Sequence, residues 1–103
     1  MKLIPEVGDT VTVQAKSLYD LCFNIKGGGT HSLKPGTKVE VVIIKAWEDP
    51  ECGWTFHGVP LQPCKQVCAC GRGMTMRGNA EKQVVMFREG VKMTGLRPMG
   101  SKL

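Results

Sequence analysis

Long apolar runs are missing from this chain. The longest, Val41-Val42-Ile43-Ile44, falls far short of the ~18 residues that a membrane-crossing helix needs. The opening stretch, Met1-Lys2-Leu3-Ile4-Pro5, has no extended apolar core and no small-residue cleavage site, so no secretion signal is expected. Alanine, the best helix former, is scarce at 4 residues. Arginine is absent from residues 1–70, and residues 71–103 hold only two acids, Glu81 and Glu89. At 103 residues the chain has room for one domain and an appendage, which excludes a multi-domain enzyme.

What is present points to β structure. Valine is the commonest apolar residue, at 11, and its stiff branched side chain suits a pleated surface. Gly and Pro, at 13 and 6, punctuate the chain with turn signals. Leu, Ile, Val and Phe together make up 25 of 103 residues, enough to build a core. The expected class is all-β with tight connections.

Alternation supplies the strands. Thr10–Ala15 places Val11, Val13 and Ala15 on one face. Leu18–Ile25 reads as a second extended segment, and Gly27-Gly28-Gly29 as a loop tip; no helix signal follows these glycines, so a phosphate cradle is not expected. Thr37–Trp47 is the strongest strand. Val39, Val41 and Ile43 share one face and Val42, Ile44 and Ala46 the other, as in a central strand of a curved sheet. An acidic turn at 48–53 leads into Trp54, Phe56 and Gly58, completing a hairpin that Pro60 and Pro63 end. Short strands with turns between them fit a small closed barrel.

Charge is unevenly placed. Residues 1–70 balance seven Lys against seven acids, whereas 71–103 carry the whole net charge of +5. Gly71-Arg72-Gly73 reads as a joint between a neutral body, residues 1–70, and a basic arm, residues 71–103. Within the arm, Gln83–Phe87 is apolar and β-prone and must be covered by something. A strand is favoured there over a short helix across 80–89, because the paired Val84-Val85 weakens a helix.

At this point residues 17–67 resemble an SH3 domain. Ser17-Leu18-Tyr19-Asp20-Leu21 is similar to the Ala-Leu-Tyr-Asp-Tyr that opens such domains, and Ser32–Thr37 to the Leu-Ser-Phe-Lys-x-Gly-Asp after their long first loop. Lys38–Ile44 falls where the family has its next strand, Gly53-Trp54 resembles the start of Gly-Trp-Trp, and Pro60–Val67 lies near the Pro-x-x-Tyr-Val ending. The resemblance implies an SH3-like barrel acting as a docking module, a step of fold analogy. Tyr19 and Trp54, with Pro63, match the family's ligand floor, although Trp54 reads more readily as a core aromatic under the hairpin, and the chain otherwise departs from that floor. Leu21 replaces the second tyrosine, Thr55 the second tryptophan, the late tyrosine is missing, and the first loop is glycine-rich instead of acidic. Proline-rich peptides are therefore not an expected ligand.

Five cysteines cannot all pair within the chain, and reduced intracellular thiols are the default. Cys64, Cys68 and Cys70, with Cys52 and His57 upstream, offer donors for a structural zinc, although the spacing is not that of a zinc knuckle. The alternative is that these cysteines are small apolar fillers. Catalysis has no local signature: His31 and His57 lack a recognisable partner spacing, and Glu48, Asp49 and Glu51 read as solvated turn charges. The ending Ser101-Lys102-Leu103 matches a peroxisomal address, meaningful only in a eukaryote; a cytoplasmic location is otherwise expected.

These readings combine into one expectation. A non-catalytic docking or assembly module, with no cofactor, binds a larger protein assembly through its barrel and arm. Arg72, Arg77, Val84, Val85, Met86, Phe87, Arg88, Lys92 and Trp54 are the candidate contacts. A structural component of a viral or phage particle is one form of it. The alternatives are a nucleic-acid binder using the basic arm and a zinc-stapled interaction module.

Overall fold

The computed structural model describes residues 4–62 and 81–98. They form a single seven-stranded antiparallel sheet, and no helix occurs among them. In chain order the strands are β1 (Thr10–Gln14), β2 (Cys22–Asn24), β3 (Thr30–Ser32), β4 (Lys38–Asp49), β5 (Gly53–Pro60), β6 (Val85–Arg88) and β7 (Lys92–Arg97). Their order across the sheet is β3-β2-β6-β5-β4-β1-β7. Among the described residues, no pairing joins the end strands β3 and β7 to close the sheet.

Alternation does what period-two patterning requires. Val11, Val13 and Ala15 are fully buried, and so are Val41 and, beyond the hairpin turn, Phe56. With Leu21, Phe23, Leu33, Val39, Ile43, Val85, Phe87 and Val91 they make one core cluster. The β2–β3 hairpin turns on Gly27, Gly28 and Gly29, all at positive φ, where a side chain would be strained.

Two bulges shape the sheet. Ile43 opposes Gly58 and Lys45 opposes His57, so Ile44 is an extra residue in β4. The expected face of Val42, Ile44 and Ala46 is therefore broken. Ile44 is 47% exposed, while Ala46 lies opposite Phe56 and packs against the core. The second bulge lies in β7 opposite Thr10–Thr12, where Gly95 adopts a φ of +65°.

The expected division into a 1–70 body and a 71–103 arm needs correction. β6 pairs with β5, and β7 pairs with β1, so residues 85–97 complete the sheet of the supposed body. Val85, Phe87 and Val91 enter the same core as Val11 and Val13. The apolar segment finds its cover inside the molecule, because its alternation matches the open edge of β5. The preference for a strand over a helix at 83–87 holds, since β6 begins at Val85.

Candidate functional site

Strand register defines an outer face opposite the core. Residues facing each other across neighbouring strands lie on the same side of a sheet. One row runs Ser32, Cys22, Met86, His57, Lys45 across β3, β2, β6, β5 and β4. The next runs Arg88, Thr55, Trp47 across β6, β5 and β4. The bulge at Ile44 turns Lys45 and Trp47 outward here, while Ala46 joins the core.

Most of these residues line a shallow groove of about 500 Å³ whose walls include Tyr19, Trp47, Thr55, His57, Met86 and Arg88, with Lys45 beside it over the Trp47 ring. A second hollow of about 170 Å³ adjoins it through the shared His57 and Met86, and adds Asn24, Glu81, Lys82 and Val84. β2, β3, β5 and β6 contain no Asp or Glu, so the cations of the two rows, Lys45 and Arg88, meet no carboxylate from those strands. Arg97, by contrast, is paired with Glu40 at 2.6 Å and lies away from the groove.

The aromatic groups are held in defined ways. The Lys45 ammonium sits 4.9 Å from the centre of the Trp47 ring, a cation–π contact. His57 meets the same indole edge-on, at 5.2 Å and 84°. Burial, and then the charge of Lys45, hold the His57 pKa below its ordinary value, so the ring is neutral at neutral pH. Tyr19 stands 79% exposed at the groove's edge with a φ of +74°, in the left-handed region that tyrosine seldom adopts.

The turn before Tyr19 explains how that conformation is held. The Asp20 carboxylate accepts hydrogen bonds from the backbone N–H of Lys16 and Ser17, at 2.8 and 3.1 Å, and from the Ser17 hydroxyl at 2.9 Å. Slight burial pushes the Asp20 pKa upward, but these donors and the Lys16 charge outweigh it and hold it below the usual value.

The sequence-derived contacts fare differently. Val85 is fully buried and Phe87 only 3% exposed; Phe87 stacks on Phe56 at 5.3 Å, so both belong to the core, and Phe87 also lines the groove. Trp54 also turns inward, stacked on Phe56 at 6.4 Å and 13° and packed against the core cluster. Val84, Met86 and Arg88 do line the groove and its neighbouring hollow. Lys92 is exposed on β7, at the opposite end of the strand order from β2 and β3. Arg72 and Arg77 lie outside the described residues, as do Cys64, Cys68 and Cys70.

Of the zinc set, Cys52 and His57 are described. The intervening residues are extended along β5, which puts the two roughly 15 Å apart, too far to share one ion. Among the described residues no group of three or more His, Cys, Asp or Glu gathers for a metal. No helix among them is long and apolar enough to cross a membrane. Trp47 and Lys45 were not singled out by sequence reasoning. The available signal was their i, i+2 spacing across the hairpin from Thr55 and His57. Comparison with protein-family models, with curated proteins and with solved structures finds no match to this chain.

Proposed function

We propose that the chain is a non-catalytic docking module, built as an SH3-like barrel, that holds a larger anionic partner on the outer face of β2, β5 and β6 and the end of β4. The single observation that carries this reading is the pair of outward rows described above. They combine Trp47, His57 and Met86 with Lys45 and Arg88 on strands that, apart from β4, bear no acid, while Glu81 lines the adjoining hollow and the Glu89 carboxylate lies against Gly53 at the start of β5. Lys45, Lys82 and Arg88 outnumber Glu81 and Glu89 around the groove and its neighbouring hollow, a balance that favours an anionic partner. Aromatic and Met side chains, together with Arg, are the types enriched where proteins bind one another. The barrel reading draws support from strand order: β1, β4, β5 and β6 follow one another as neighbours, β2 and β3 form a hairpin inside the first connection, and β7 returns to β1.

His57 faces an indole and an ammonium, which suits a contact surface. The test is a titration of the isotope-labelled full chain, followed by nuclear magnetic resonance, with two polyanions: poly-glutamate and a single-stranded oligonucleotide. At least one should shift the signals of Lys45, Trp47, Thr55, His57, Met86 and Arg88 together. Shifts confined to other residues, or no shifts with either polyanion, would refute the docking face.

A further inference from the structure

We infer that the partner of this face is single-stranded nucleic acid, with Tyr19 and Trp47 as the surfaces on which bases stack and Lys45 and Arg88 as the phosphate contacts. The inference rests on the docking reading above and names its ligand. A single strand uses both features in every nucleotide, a base for a ring and a phosphate for a cation, whereas an acidic peptide pairs chiefly with the cations. The groove adds two aromatic rings, one of them almost wholly in water, and single strands are recognised by unstacked bases laid on aromatic faces beside a cationic track. Thr30 and Thr55 line the same groove, and in the free protein their hydroxyls donate to Asn24 Oδ1 and to the Gly53 carbonyl, each at 3.4 Å.

The Lys45–Trp47 contact fits this role. In the free protein the ammonium rests over the indole, the position a base would take. An arriving nucleotide supplies a phosphate for the ammonium and a base for the ring it vacates. An exposed cation–π contact is the weaker of the two arrangements, so the exchange favours binding. Tyr19 points the same way. Its left-handed backbone is unfavourable for a tyrosine, yet it is fixed by three hydrogen bonds to Asp20, and the ring gains little burial from it. Backbone strain that presents an exposed aromatic ring to a cationic groove suits recognition better than packing.

The experiment measures fluorescence anisotropy of a labelled oligothymidylate of about a dozen nucleotides against the full chain, with a duplex of equal length and poly-glutamate as comparison ligands. The single strand should bind more tightly than the duplex, and its affinity should fall with salt. Lys45→Gln and Arg88→Gln should each lower the salt slope by about 0.7. Trp47→Ala should weaken binding roughly ten-fold or more. Tyr19→Gly should weaken it comparably while melting no lower than the parent, since glycine accepts the left-handed backbone. That second variant keeps the test sound if Trp47→Ala folds poorly. Duplex binding as tight as single-strand binding, with Tyr19→Gly and Trp47→Ala unchanged, would overturn the inference. If poly-glutamate shifts the face and the oligothymidylate does not bind, the ligand is wrong and the docking face stands. If neither ligand reaches the face, both fall.

Discussion

Gly58 offers the sharpest test of the packing. It lies in β5, buried, opposite Ile43, and a Cβ built there would fall 2.6 Å from Val41 Cγ2 and 2.8 Å from Val41 Cβ. Favourable carbon–carbon contacts lie at about 3.5–4.0 Å, so roughly 1 Å of movement is needed. Val41 cannot supply it easily, being fully buried in a strand held by β1 on one side and β5 on the other. Overpacking of this kind costs about 1–3 kcal/mol, and alanine returns about 0.4–1 kcal/mol by restricting the unfolded chain. The difference is about 0–2.6 kcal/mol, centred on about 1.3, so at about 4–8 °C per kcal/mol the melting temperature of Gly58→Ala should drop by about 5–10 °C.

The cause is isolated by a second change. Val41→Ala alone leaves a cavity, but in the Gly58→Ala background it removes the Cγ atoms that stand at 2.6 and 3.5 Å. The contact at 2.8 Å to the Val41 Cβ remains, so rescue should be partial. In urea unfolding followed by circular dichroism, the double variant should lose less than the sum of the singles by about 1 kcal/mol. Strict additivity, or a Gly58→Ala variant that melts with the parent, would refute the argument that β4 and β5 approach too closely for any side chain at 58.

Two further outcomes follow from the titrating groups. The folded pKa of His57 lies below its ordinary 6.5, so the unfolded chain takes up the proton first as the medium is acidified. Stability should be level above about pH 7, decline as pH falls through 6.5 toward the folded value, and flatten below it; His57→Gln should lack this decline in urea titrations between pH 5 and 7.5. Asp20→Ala removes the acceptor for two backbone N–H groups and the Ser17 hydroxyl, and should cost about 1 kcal/mol by thermal unfolding. Because the folded pKa of Asp20 is depressed, its contribution is present above about pH 4 and should vanish as pH falls through the folded value.

Much of the sheet could be read from alternation alone. Val11, Val13 and Ala15, and Val39, Val41 and Ile43, sit on the core side as their spacing requires. The bulge at Ile44 could not be foreseen, because one inserted residue changes side-chain parity without changing composition. That hidden shift put Trp47 on the outer face, while Trp54, whose place beside Gly53 suggested a family contact, turned inward onto Phe56. The apolar, β-prone stretch at 83–87 needs cover, and residues 85–88 find it against β5. The concentration of arginine after residue 71 pointed to an outside partner, whereas the open edge of β5 was nearer and matched its period. The left-handed φ of Tyr19 leaves no trace in residue type, since a glycine would mark such a position and a tyrosine does not.

The pairing of β1 with β7 sets a schedule for the nascent chain. Residues 10–14 leave the ribosome before the strand that flanks them on one side, at 92–97, which is made about 80 residues later, several seconds at ordinary elongation rates. Until then one margin of β1 is bare, and its Val11 and Val13 have only part of their shelter. That margin of β1 is covered only once residue 97 has been made, and any premature stop before residue 92 releases a fragment with an adhesive border.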